Sequence, residues 1–260
     1  MDCHFFALIG CSNNSSRSGC ALSGTLYVVS LPIGNDEDIT LRAVHILKKV
    51  DIVAAENPDV ARALFSVHGI HTPLTSYHRE IQIEKAAVLI QRLQVGNDVA
   101  LVSDEGTPAI CDPGSYLISK ARAANISVVP IPGPSALLAA LSVAGFTGDV
   151  FTFAGYLPRR KRIRVNLLRS LKSERRSLVF FASAHSLCST LLELHQIIGN
   201  RSVLIAFNMT KSGERFFQGR LGKVLASLDG QSLPGEVTVI ISGRSEPNRR
   251  TTTINSRSSS

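Results

Sequence analysis

From Ser103 to Gly114 the chain reads Ser-Asp-Glu-Gly-Thr-Pro-Ala-Ile-Cys-Asp-Pro-Gly, directly after the apolar run Val99-Ala100-Leu101-Val102. A plain turn needs far fewer special residues. Carboxylates, hydroxyls, prolines and glycines crowded behind a strand shape a backbone for a ligand to sit against. Two more strand ends carry similar punctuation: Leu31-Pro32-Ile33-Gly34-Asn35 and Ile131-Pro132-Gly133-Pro134-Ser135-Ala136. Ligands of open α/β sheets bind beyond the carboxyl ends of the strands, so three such loops on one edge would form a single trough. Gly106 and Gly133 would let backbone approach a ligand closely, while Pro108, Pro132 and Pro134 stiffen the rim. Exposed N–H and C=O groups there can pair with an adenine edge and a ribose. Any one of these loops reads as an ordinary strand-to-helix connection. The three together, with Asp104 and Thr107 between them, read as a site.

The elements behind the loops follow from hydropathy. Short apolar runs at 25–31, 51–56, 98–103 and 126–132 alternate with helical spacing over 36–50, 59–69, 84–96, 115–125 and 133–145, and 72–78 reads as a further strand. Continuous apolar strands between helices predict an α/β fold with a mainly parallel sheet covered on both faces. Gly145–Asp149 reads as a boundary, after which a second α/β series begins with strands near 150–157, 177–183, 202–208 and 236–243. The expected organisation is an extension over 1–22, an N-terminal α/β domain over 23–145, a C-terminal α/β domain over 146–243 and a disordered tail over 244–260. Residues 1–22 read as a ragged extension or a start codon assigned too early. The Gly-x-Gly-x-x-Gly of dinucleotide folds and the P-loop are both absent, so the first strand does not cradle a pyrophosphate.

The 260 residues carry 28 Lys and Arg against 20 Asp and Glu, a formal charge of +8, which favours a polyanionic partner such as RNA. The sequence holds no Trp, which argues against the stacking platform of many single-strand binders. No apolar run reaches the ~20 residues of a membrane span. Cys3, Cys11, Cys20, Cys111 and Cys188 show no zinc spacing; they read as reduced thiols in a cytoplasmic protein, and no metal is expected.

The segments "GTLYVVSLPIGNDEDITLRA", "DIVAAE", "ALVSDEGTPAICDPG", "VVPIPGPSALLAALSVAG" and "FTFAGYLPRR" resemble the tetrapyrrole-methylase (class III) superfamily, and within it the bacterial 16S ribosomal RNA cytidine 2′-O-methyltransferases. The resemblance spans residues 24–243. It implies two α/β domains with S-adenosylmethionine in the cleft between them, a homodimer, and 16S rRNA or the small ribosomal subunit as partner. Carried over by position, Pro32 would line the cleft. Ser103, Asp104, Glu105, Gly106, Thr107 and Pro108 would cradle the methionine and sulfonium end. Pro132, Gly133, Pro134, Ser135 and Ala136 would lie against ribose and adenine. Three segments depart from the family pattern: Glu56-Asn57-Pro58-Asp59 stands for Glu-Asp-Thr-Arg, Ala182-Ser183-Ala184-His185-Ser186 for Glu-Ser-Pro-His-Arg, and Phe207-Asn208-Met209-Thr210-Lys211 for Arg-Glu-Leu-Thr-Lys. These changes bear on RNA placement more than on cofactor binding.

A ribose hydroxyl is a poor acid, so a base or a nearby cation would help its methylation. Glu56, His185 and Lys211 are the candidates. His185 reads equally well as a helix N-terminal residue, Lys211 as a solvated lysine, and Glu56 and Asp104 as caps. Between residues 158 and 176, nine Lys and Arg face Glu174 alone. Such a run is usually a solvated face; its density points here to phosphate contact by Arg159, Arg160, Lys161, Arg162 and Arg164. A methylase of tetrapyrroles or other small molecules, and a non-catalytic RNA-binding relative, remain alternatives.

Overall fold

In the computed structural model, which describes residues 23–146, 149–228 and 235–244, the strands form two five-stranded sheets. The first holds β1 (Thr25–Val29), β2 (Ile52–Ala55), β3 (Leu74–Ser76), β4 (Val99–Val102) and β5 (Ser127–Ile131) in the order β3-β2-β4-β1-β5, all parallel. A parallel sheet needs helices on both faces. One face packs on α1 (Leu41–Lys49) and α2 (Pro58–Val67) through Leu47 and Phe65; the other packs on α3 (Gln82–Gln94) and α4 (Ser115–Ala123) through Leu89 and Leu117. The helix expected over 36–50 is two pieces, a 3-10 turn at Asp36–Asp38 and then α1. Thr40 separates them: it is extended, and its hydroxyl caps α1 by accepting from the Ala43 N–H at 3.1 Å.

After α5 (Ala136–Val143) comes the second sheet, built from β6 (Phe151–Tyr156), β7 (Ser177–Ser183), β8 (Ser202–Phe207), β9 (Arg215–Arg220) and β10 (Glu236–Ile241) in the order β6-β7-β10-β8-β9. Only β6 and β7 run parallel here; β10 is antiparallel to β7 and β8, and β8 to β9. The hydropathy pattern had not revealed β9 or the following α8 (Leu221–Leu228). β9 is an edge strand whose residues are exposed or half-buried, so it lacks the apolar run that marks the inner strands.

One face of this sheet is covered by α6 (Lys161–Ser170), α7 (Leu187–Ile198) and α8, with Leu168, Leu191, Leu194 and Leu221 buried. The other face receives α5, where Ala140 and Ala144 pack with Val179, Leu204 and Ile240. The last helix before the Gly145–Asp149 segment thus completes the second core and ties the two sheets together.

The expected extension, with Cys3, Cys11 and Cys20, and the expected tail beyond Arg244 lie outside the described residues. Cys111 and Cys188 are free thiols. Among the described residues no helix is long and apolar enough to cross a membrane.

Candidate active site

The order β4-β1-β5 places the three punctuated loops side by side at the carboxyl edge of the first sheet. They are bonded to one another. Leu31 and Gly106 exchange backbone hydrogen bonds, N–H to O=C, at 2.8 and 3.2 Å, and the Gly106 N–H also reaches the Pro32 carbonyl at 3.3 Å. The Thr107 hydroxyl donates to the Pro134 carbonyl at 3.3 Å. Its proton is thereby committed, so the Ser30 hydroxyl, 3.0 Å away, is the donor to Thr107. The buried Ser103 hydroxyl donates to the Glu105 carbonyl at 3.1 Å. Gly106 has φ +69, a left-handed conformation that side chains rarely adopt. In the same loop Ala109 (φ 67) and Cys111 (φ 70) adopt it without being glycine. Such residues cost about 1–3 kcal/mol each and collect at functional sites. Arg79 holds the loop here, donating to the Cys111 carbonyl at 2.6 Å.

Between this edge and the second sheet lies a cleft of about 390 Å³, within the range of small-molecule sites. Asp104, Glu105, Gly106, Thr107, Ser135 and Ala136 line it, as does Glu56. The other expected cofactor residues stand behind this lining. Pro32 and Pro108 are buried, Ser103 braces Glu105, and Pro132, Gly133 and Pro134 form the outer turn of the third loop. Pro32 in particular does not line the cleft; its carbonyl is turned back to Gly106.

The far wall comes from the second sheet: Tyr156, Phe181, Glu236 and Thr238. None of these was singled out from sequence, nor was Asp112, although it lies inside the quoted Cys-Asp-Pro-Gly. The Phe181 ring packs against Phe153 and Tyr156 with centroids 5.1 and 5.5 Å apart, a stiff aromatic wall.

The cleft is acidic. Glu56, Asp104, Glu105, Asp112 and Glu236 reach it, and among the described residues no lysine or arginine lines it. Burial, then the charges of Asp112 and Asp104, raise the Glu56 pKa to about 7. Burial and then Asp104 raise Asp112 to about 6. Asp104 accepts from the Asn57 N–H at 2.9 Å, and the Asn57 side chain caps α2 by accepting from Asp59 at 3.1 Å, with Pro58 in the first turn. The Asn57-Pro58-Asp59 departure from the family pattern is thus a helix start. It leaves the cap to Asn57 and the Glu56 carboxylate to the cleft.

Lys211 is not a solvated lysine. Its ammonium lies 2.6 Å from Glu105 and 3.2 Å from Glu236, one carboxylate from each side of the cleft. Burial opposes the charge, yet the Glu105 hydrogen bond and the Glu236 charge outweigh it and raise the Lys211 pKa. The Lys211 side chain lies across Gly34, where a Cβ would fall 2.2 Å from Lys211 Cγ, and beside it the Asn35 N–H donates to Thr210 Oγ1 at 3.1 Å. The Thr-Lys pair clasps the two halves.

His185 sits in the 3-10 turn Ala184–Ser186 without capping a helix. It lines a second cavity of about 710 Å³ together with Arg79, Arg159, Arg164 and Ser183. Tyr156 and Phe181 belong to both cavities, so the two adjoin through the aromatic wall.

The basic segment is corrected in one respect. Arg164 binds Glu193 with two charge-assisted bonds, 2.6 Å from Nε and 2.8 Å from Nη2, and donates from Nη1 to the Pro158 and Arg159 carbonyls at 3.0 Å. Glu193, on α7, is an acid that lies far off in sequence. Arg164 is therefore a tie between α6 and α7, while Arg159, Arg160, Lys161 and Arg162 are exposed.

The site is thus a trough of strand-end loops on a parallel sheet, facing a mixed second sheet. Residues 25–225 match the family described as Tetrapyrrole (Corrin/Porphyrin) Methylases. The uroporphyrin-III C-methyltransferase of Thermus thermophilus, solved in complex with S-adenyl homocysteine, superposes with a TM-score of 0.59 at 20% identity, covering 84% of this chain and 97% of that one. Among curated relatives, ribosomal RNA small subunit methyltransferase I of Thermotoga maritima is 42% identical over 84% of this chain and 98% of its own length. Its Escherichia coli O157:H7 counterpart is 40% identical over 84% and 77%. The chain belongs to the tetrapyrrole methylase family and, within it, to the group of the ribosomal RNA small subunit methyltransferases I.

Proposed function

We propose that the protein transfers a methyl group from S-adenosylmethionine to a ribose 2′-hydroxyl, that of a cytidine, in 16S ribosomal RNA. The observation that carries this reading is the pair of adjoining cavities: an acidic cleft that suits a cationic cofactor, sharing Tyr156 and Phe181 with a larger space rimmed by Arg79, Arg159 and His185.

The residues present fit the cofactor. S-adenosylmethionine supplies an electrophilic methyl on a sulfonium that departs as a neutral thioether. Asp104 and Asp112 offer carboxylates to its positive groups, Ser135 offers a hydroxyl to a ribose, and Gly106 lets backbone come close. Pro32, Ser103, Pro108, Pro132, Gly133 and Pro134 hold that lining in place. Glu56, with a pKa near 7, is a base of the right strength to take the hydroxyl proton at neutral pH. His185 and Arg79 orient the incoming nucleotide in the outer cavity. Lys211 acts by fixing Glu105 and Glu236. Holding nucleophile and methyl in line and excluding water accounts for roughly 7–11 kcal/mol of barrier.

The exposed Arg159, Arg160, Lys161 and Arg162 bind RNA phosphates outside the cleft. The same reading carries two α/β domains over 23–145 and 146–243, a homodimer and a cytoplasmic location. Incubation with labelled S-adenosylmethionine and either 30S particles or a porphyrinoid tests it. Label in 16S rRNA, at a cytidine 2′-O position, is expected; label in the porphyrinoid alone would overturn the substrate, and calorimetry without cofactor heat would make the protein a pure RNA binder.

A further inference from the structure

The edge of the second sheet remote from the cleft, where β7 and β8 begin and β9 and β10 end, carries a hollow of about 290 Å³. Lys172, Arg201, Arg220 and Arg244 line it, with Asn200 and Ser242. Among the described residues that line it there is no carboxylate. Arg201 is only 8% exposed. Its guanidinium is held by two neutral acceptors, the carbonyls of Glu174, at 3.1 Å, and Lys172. Burial and then the charge of Arg244 lower its pKa. The charge of Glu174 acts the other way on Arg201, but that carboxylate is itself bound to the Arg176 guanidinium at 2.9 and 2.6 Å. A buried cation beside further cations is costly unless an anion compensates it.

This hollow is continuous with the basic segment. α6 starts at the cleft edge, where β6 ends, and runs back for about 15 Å toward the remote edge, where β7 begins. Its exposed face carries Lys161, Arg162 and Arg169, and the chain then delivers Lys172 to the hollow's rim.

We propose that this cationic hollow is a second phosphate anchor, which grips the RNA backbone at the far end of the α6 track, away from the nucleotide being methylated. The assignment of RNA rather than a free anion rests on the function proposed above and on the continuity of the track. A polynucleotide crosses such a track with successive phosphates, and each neutralised phosphate adds to the salt dependence of binding.

The test uses the full chain and the triple variant Lys172→Ala, Arg220→Ala, Arg244→Ala. Arg201 stays, because losing its guanidinium would strand two carbonyls. Binding of 16S rRNA is measured against salt concentration, with S-adenosylmethionine calorimetry as the control for an intact cleft. We expect roughly tenfold weaker RNA binding and a log–log salt slope shallower by about 2, at ~0.7–0.9 per lost contact, with unchanged cofactor affinity. Unchanged RNA affinity and slope would overturn the anchor. So would loss of inorganic phosphate binding with RNA binding intact, since the hollow would then serve a small anion. If the wild type methylates 30S particles while the variant binds RNA normally, the anchor alone fails. If the wild type binds no RNA, the functional reading fails and takes the anchor with it.

Discussion

Leu31 and Gly106 face each other across two loops and exchange backbone hydrogen bonds at 2.8 and 3.2 Å. This two-residue bridge fuses the loop after β1 to the loop after β4, and Thr107 extends the join to the loop after β5. The shape of the acidic cleft depends on it.

A Cβ on Gly106 would stand 3.4 Å from Ile33 Cγ2 with φ held at +69. The space is tolerable; the backbone conformation is not, at about 1–2 kcal/mol for a residue with a side chain. Gly106→Ala should lower stability by that amount in chemical denaturation. S-adenosylmethionine affinity should fall at least tenfold by calorimetry, because relaxing φ breaks the bridge.

Glu56 sets a pH dependence. Its carboxyl, raised from 4.5 to about 7, keeps a proton in the folded protein that the unfolded chain has already released. Stability therefore declines as pH rises from about 4.5, and the loss is complete above about 7. Asp112 adds to it in the same sense. Glu56→Gln should melt higher than the wild type at pH 8 and alike at pH 4, while methyl transfer at pH 8 falls roughly 10²–10⁴-fold. A mutant that melts lower at pH 8 would remove Glu56 from its assigned place.

The Lys211 clasp should show as coupling. In a double-mutant cycle of Lys211→Met and Glu105→Gln, the two changes should be non-additive by about 1 kcal/mol. Lys211→Met should weaken cofactor binding more than it slows turnover at saturation. Loss of turnover alone, with cofactor affinity intact, would instead make the ammonium a participant in the chemistry.

Arg164 and Arg162 should part company. Arg164→Ala breaks the two-pronged bond to Glu193 and should cost about 1 kcal/mol of stability, read as a drop of a few degrees in Tm. Arg162→Ala, on the exposed face of α6, should leave Tm unchanged and flatten the salt dependence of RNA binding by roughly one contact.

Much of this molecule was legible along the chain. The inner strands announce themselves as apolar runs because both faces of a parallel sheet are buried. The three loops announce themselves because their backbones require glycine and proline, and that need is local. From these alone the α/β class and the trough could be written down, and the family resemblance added about a third of its lining, Asp104 to Thr107 with Ser135 and Ala136. The edge strand β9 could not, since a half-exposed strand has no apolar signature. Partnerships between distant charges could not be seen either. Lys211 meets Glu105 across 106 positions, Arg164 meets Glu193 across 29, and Arg201 comes to rest among cations while the Glu174 carboxylate is bound to Arg176. Coulomb attraction depends on distance in space and on burial, and a linear order of residues contains neither. Packing of the second sheet against the first made Lys211 a clasp, the approach of Asp112 and Asp104 to a half-buried carboxyl raised the Glu56 pKa, and packing of α7 beside α6 took Arg164 out of the phosphate-binding face.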